Sequence, residues 1–284
     1  MKLKLLNSLI IDIIIETARI KFTMNSLKLN ISKLISLGSK LSRGNTKLQN
    51  GQRILMYHSV RTLKPDQALK DIYVLDPLLF KKQMEFLKDN FKGQMQKIDP
   101  KSSNKDLLPF SINVTFDDGF KDNLTEVAPI MDAIEIPYTV FIATDFLNSD
   151  YPLHLDKREL QELASRPNVT IGSHSTSHAN LTHLTEKKIR LEVKESKTRL
   201  EDIIGQDVHG FSYPFGAVDK RIRDIVEESG YLYAVNSCFN INNKNSDQFM
   251  LNRNEIWNTD TIQTFQEKIH GNWDWLRLNH KFKF

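Results

Sequence analysis

Seven apolar runs of strand length recur along this 284-residue chain, at 53–58, 112–116, 138–143, 169–171, 211–213, 232–236 and 251–256. Stretches with helical spacing or helix-end signals fall between most of them. Strands that alternate with helices need crossover connections, and these lay neighbouring strands parallel. The chain therefore reads as α/β with a largely parallel sheet of about seven strands. Asp76-Pro77 starts one helix, with aspartate as cap and proline at the first helical position. Other helices are expected at 123–133, around 160–164 behind Asp156, from Thr185, read as its cap, to Gly205, at 221–229 before Gly230, and at 261–269. A single α/β domain of roughly 200–250 residues plus an appendage accommodates the length.

The appendage is at the N-terminus. Leu6, Leu9, Ile10, Ile13 and Ile14 recur at helical spacing, and Ser8, Asp12, Glu16 and Arg19 take the opposite side. A second segment pairs Leu27, Ile31, Leu34, Ile35 and Leu41 with Lys28, Lys33, Lys40 and Arg43. The polar stretch 45–52, beside Gly44 and Gly51, marks the boundary. Residues 1–50 are thus expected to be an amphipathic helical extension, and 51–284 the main domain. The extension either packs on protein or grips an anionic membrane surface peripherally. Its apolar run is too short to span a bilayer and precedes no small-residue cleavage site. The expected location is cytoplasmic, at the inner membrane face, with an uncleaved anchor as the alternative. A net charge of +4 gives no reason to expect nucleic acid as a partner, and the single cysteine, Cys238, excludes an intrachain disulfide.

The run 112–116 closes on Asp117-Asp118-Gly119. Two adjacent carboxylates repel, and a divalent cation held by one of them relieves this and leaves the other free as a base. The same composition also makes an ordinary solvated turn. His58, Asp117, Asp118, His174 and the Pro214 turn, however, all follow strands, and the strand ends of an α/β sheet are where sites are built. His174 and His178 lie four apart on a segment of small residues, and neutral imidazole suits zinc and similar ions. Two histidines and one carboxylate make three protein ligands with positions left for water and substrate. His183 is read as an ordinary loop histidine. Trp257 and Trp273 are left without a role.

Thr115-Phe116-Asp117-Asp118-Gly119, His174-Ser175-x-x-His178 and Tyr213-Pro214-Phe215-Gly216 together resemble the successive motifs of the polysaccharide deacetylase family (NodB homology, carbohydrate esterase family 4). Met56-Tyr57-His58-Ser59-Val60 is similar to the early segment of its poly-N-acetylglucosamine deacetylase branch. The resemblance implies a distorted (β/α)7 barrel. It also implies a metal-dependent hydrolase that removes N-acetyl groups from a sugar in a cell-surface polysaccharide, glycolipid or precursor. Carried over residue by residue, Asp118, His174 and His178 become ligands of a divalent metal, with zinc the expectation. Asp117 becomes the general base, the Phe215 N–H an oxyanion donor, and His58 the general acid in preference to His270.

One departure stands out. Many family members carry an arginine near the third motif, where this chain has Ser212 and Tyr213. Arg253, on a later strand, either replaces that charge at Asp117 or forms a surface or structural pair. Two other functions remain open on the same scaffold: hydrolysis of a non-sugar acyl amide or imide, and glycan binding without catalysis.

Overall fold

The computed structural model describes residues 48–64, 67, 71–98, 109–148 and 150–278. Apart from residues 48–50, the expected N-terminal extension lies outside these. Residues 48–271 form one unit, and the short helical turn Asp274–Leu278 belongs to a separate one.

The strands are β1 (Gly51–Tyr57), β2 (Ser59–Val60), β3 (Val74–Leu75), β4 (Phe110–Phe116), β5 (Tyr138–Ile142), β6 (Val169–Ser173), β7 (Gly210–Ser212), β8 (Tyr233–Val235) and β9 (Asn254–Glu255). Seven of them form one sheet in the order β8-β7-β6-β5-β4-β1-β9, and every pairing in it is parallel. The strand count and parallel sense match the sequence reading, with the end of the 251–256 run as β9. The sheet curls into a half-barrel. Leu251 brings its two edges together: its N–H and C=O bond Ala234 and Asn236 around β8, while Asn254 and Glu255, three and four residues on, pair with β1. β2 and β3 make a separate two-stranded ribbon.

β1 and β4 are buried almost throughout, as strands covered on both faces must be. Tyr57, Phe80, Phe116 and Tyr138 interlock by ring contacts with centroids 5.4–5.8 Å apart, and this ties the sheet to the first helix.

The helices are α1 (Pro77–Phe91), α2 (Ala128–Ile134), α3 (Lys157–Ala164), α4 (Glu186–Ile204), α5 (Lys220–Glu228) and α6 (Ile262–Ile269). Asp76 caps α1 at the Leu78 N–H, and Asp156 and Glu159 form a reciprocal capping box on α3. Two expectations need correction. Thr185 sits at the N-cap of α4 but its side chain makes no capping bond. The helix expected at 123–133 starts instead as a wide π turn, Asn123–Val127, in which the Ala128 N–H bonds back to Asn123. Pro129 has no N–H to continue an α-helical ladder, so the backbone widens before it.

Candidate metal centre and active site

Asp117 and Asp118 leave the end of β4, the histidine segment leaves β6, and Pro214–Gly216 follows β7. Parallel strands all deliver their C-terminal ends to one rim, so these segments meet there. Four of the five described non-glycine residues with positive φ lie in them: Asp118 (72°), Ser175 (66°), His178 (58°) and Phe215 (60°). Such backbone is costly, and it concentrates where a site dictates the geometry. Gly119 continues the turn after Asp118 at φ 74°, and a Cβ there would come within 2.8 Å of Ile142 Cδ1.

One ligand atom each from Asp118, His174 and His178 lies within 4.8 Å of the others. The His174 Nδ1 is 2.7 Å from the Ser212 carbonyl oxygen, so that nitrogen donates and Nε2 is left as a lone pair facing Asp118 at 3.5 Å. His178 Nε2 is 3.3 Å from the same carboxylate oxygen. That oxygen, Asp118 Oδ1, is buried and has no hydrogen-bond partner. Burial pushes the His174 imidazole down to about 3 and lowers His178 as well, so both rings are neutral near pH 7. Burial, reinforced by Asp117 against the opposing pull of His58, pushes the Asp118 carboxyl up to about 6. Two neutral imidazoles and an unpartnered carboxylate oxygen converging on one point fit a divalent cation, which would supply the missing counter-charge.

Asp117 has a different environment. Arg253 is fully buried and grips it with two parallel bonds of 2.7 Å, one to each carboxylate oxygen. The guanidinium is fixed in turn by the Asn236 carbonyl at 2.8 Å, Ser212 Oγ at 2.9 Å and Thr115 Oγ1 at 3.3 Å. Ser212 Oγ also donates to Asp117 at 3.1 Å. Burial alone would raise the Asp117 carboxyl, but Arg253, helped by His174, outweighs it and holds the group well below the usual carboxylate range. Arg253 is therefore no surface pair. Ser212, at the position where the arginine was expected, joins Arg253 to Asp117.

His58 follows β1, next to β4, and its charge would bear on both Asp117 and Asp118. Its ring rests on Tyr73, with centroids 4.6 Å apart, and its buried Nδ1 has no partner among the described residues. Asn123 Nδ2 donates to the His58 carbonyl at 3.0 Å, while Asp122 accepts Ser59 Oγ at 2.5 Å and the Val60 N–H at 3.0 Å. The π turn thus holds the His58 loop. His270 instead sits at the end of α6, bonded to the Gln266 carbonyl at 2.7 Å.

In the Pro214–Gly216 turn, the internal bonds run from the Gly216 N–H to Tyr213 and from the Ala217 N–H to Pro214, and the Phe215 N–H is in neither. The Phe215 ring is 60% exposed and 4.8 Å from His178. His178 also meets Phe146 at 5.8 Å, and Phe146 meets Tyr151 at 4.6 Å and His154 at 4.5 Å. Phe120 stacks on His154 at 4.5 Å. Sequence reasoning passed over this row because Tyr151 and His154 sit in a loop without periodicity. The antiparallel bridge between Phe120 and His154 brings that loop beside Asp118. Trp257, by contrast, is buried, with Lys268 Nζ 3.6 Å above its ring.

The family model for polysaccharide deacetylases matches residues 104–234. These residues contain the paired aspartates, both histidines and the Pro214 turn. Over this stretch, a little under half of its length, the chain is similar to the polysaccharide deacetylase family. Among its relatives, Bacillus subtilis YxkH, named for that family, is 27% identical over 188 residues, 64% of this chain and 63% of that protein. The match thus spans less than two thirds of that relative's length. A polysaccharide deacetylase structure from Bacillus anthracis, BA0330, superposes with a TM-score of 0.68 at 25% identity, covering 78% of this chain and 69% of that one. Streptococcus pyogenes deacetylase PplD in complex with acetate shares the fold, with a TM-score of 0.69 at 20% identity over 77% of this chain and 98% of that one. Arg253 lies outside the matched residues. Among the described residues, no helix is long and apolar enough to cross a membrane.

Proposed function

We propose that this chain is a metal-dependent N-deacetylase that hydrolyses the acetamido group of an N-acetylated saccharide. One observation carries the reading: the Asp118-His174-His178 cluster lies beside a second carboxylate, Asp117, that Arg253 keeps ionised. A divalent ion, zinc by preference, would be held by Asp118, His174 and His178 and would supply Lewis acidity toward the water and the acyl oxygen. Asp117 accepts a hydrogen bond from the attacking water and takes its proton as the water oxygen bonds to the acyl carbon. Because Arg253 makes this carboxylate a weak base, it holds the proton only in passing; its main contribution is to aim the water. The Phe215 N–H, free of the turn's own bonds, is the donor for the oxyanion. His58 gives a proton to the nitrogen as the C–N bond breaks, and acetate and the free amine leave.

The exposed rings of Phe215, beside His178, and of Tyr151, beside Phe146, offer flat apolar faces of the kind a sugar ring covers, which supports a saccharide over a small acyl amide. The poly-N-acetylglucosamine branch rests on the Met56–Val60 segment. The membrane-peripheral, cytoplasmic location rests on the N-terminal segment, outside the described residues.

The test is acetate release from N-acetylglucosamine oligomers by protein stripped with chelator and reloaded with zinc. Reloading should restore release. Asp117→Asn should lower kcat by about a hundredfold or more while zinc still binds, since proton transfer by a positioned group contributes about 10²–10⁴-fold. Undiminished turnover by that variant would remove Asp117 from the reaction. Release from a non-sugar acyl amide, with none from any acetylated sugar, would transfer the activity to that substrate class.

A further inference from the structure

The two candidate histidine ligands are joined by a loop that is anchored from outside. Glu192, on α4, points its carboxylate at this loop. Its Oε2 accepts the Thr176 N–H at 3.0 Å and the Ser177 N–H at 2.8 Å. Its Oε1 accepts the Ser177 hydroxyl at 2.6 Å, and its main-chain carbonyl accepts the Thr176 hydroxyl at 3.1 Å. One residue of another element therefore satisfies four donors on two of the three residues between His174 and His178. The third, Ser175, accepts the His178 N–H on its own hydroxyl at 3.1 Å. Among the described residues Glu192 has no ion-pair partner, so its charge is directed at the loop.

The loop needs such an anchor. Ser175 and His178 both hold positive φ, which side chains other than glycine resist. A chain free to relax would rotate one or both out of that region and swing the His178 ring away from Asp118. Two N–H groups converging on a carboxylate oxygen are charge-assisted bonds, among the stronger ones available to a loop. His174 has its own orienting hydrogen bond to the Ser212 carbonyl, whereas the His178 ring is placed by the loop and by ring contacts with Phe146 and Phe215, which fix no ring nitrogen.

We infer that Glu192 is a positioning residue that sets the separation of His174 and His178, so that affinity for the metal is governed from helix α4. The inference rests on the metal-centre reading, but its test does not depend on deacetylation. Outer partners that orient a ligand typically change metal affinity by about 10–100-fold when removed. Glu192→Leu keeps the bulk and helix propensity and deletes every side-chain acceptor. Glu192→Ala deletes the side chain and guards against a packing artefact in the first variant. Glu192→Gln keeps a carbonyl oxygen for the two N–H groups.

Zinc affinity would be measured by chelator competition, and the ligand field by the visible spectrum of the cobalt-loaded proteins. Thermal melting of the metal-free proteins serves as the control for folding. The expected result is metal-free melting close to wild type for all three. Zinc binding should weaken about 10–100-fold in the Leu and Ala variants with an altered cobalt spectrum, and the Gln variant should recover most of it. Wild-type affinity and spectrum in either acceptor-free variant that folds would overturn the inference and leave the metal centre standing. Zinc failing to bind the wild-type protein would overturn both.

Discussion

Arg253 and Asp117 are 136 residues apart in sequence and share two 2.7 Å bonds in a buried setting. Removing one partner of such a pair leaves a charge with neither water nor counter-ion. Arg253→Ala should therefore destabilise the protein by about 3–5 kcal/mol, read from denaturant midpoints. Arg253→Lys should recover only part of this, because an ammonium cannot make the bidentate contact. A loss under about 1 kcal/mol for Arg253→Ala would mean that water replaces the guanidinium. His154 gives a pH dependence of its own. Burial, with Arg61 and His178 adding to it, lowers its imidazole to about 4. Between the ordinary histidine value of about 6.5 and that figure, the unfolded chain binds more protons than the folded one. Folding stability of the metal-free protein should fall as pH drops through this window, and His154→Phe should flatten that part of the curve. An unchanged slope in the variant would assign the acid sensitivity to other groups.

At the scale of elements, the site is built from strand ends and the turns that follow them, and these turns tolerate little. Gly216 lies at φ 63°, and a Cβ there would fall 1.9 Å from Ser237 Oγ. Gly216→Ala should cost well over 1 kcal/mol and displace the Phe215 N–H, because both the backbone region and the space are wrong for alanine. Melting temperature and kcat should fall together. A variant that keeps kcat while losing stability would separate this turn from oxyanion binding. Local chemistry in the sequence was enough to mark this turn, the Asp76 and Asp156 caps and the strand carrying the aspartates. It was not enough for the π turn at Asn123, where Pro129 changes the hydrogen-bond pattern without breaking the apolar periodicity.

For the whole molecule, a ligand that binds only the folded state raises its stability by mass action. Zinc at about 100 times its Kd should add about 2.7 kcal/mol, a rise in melting temperature of roughly 5–10 °C that chelator reverses. No shift in the wild-type protein would count against a folded-state metal site. Asp118→Ala should abolish the shift and, by removing a carboxyl that burial disfavours in its charged form, leave the metal-free protein no less stable.

By itself, the sequence determined the alternation of strands and helices, the parallel sheet, and the motifs that place Asp117, Asp118, His174, His178 and Phe215 on one rim. These are properties of period and spacing, and both survive in a linear string. Only the tertiary structure decided which charge Asp117 meets. Arg253 reaches it because Leu251 joins β8 while Asn254 joins β1, which sets Arg253 between the two edges of the curled sheet. The same holds for Glu192 and for the Phe120–His154 contact. Each links segments through the packing of separate elements, and no local pattern encodes which distant residue will fill that space.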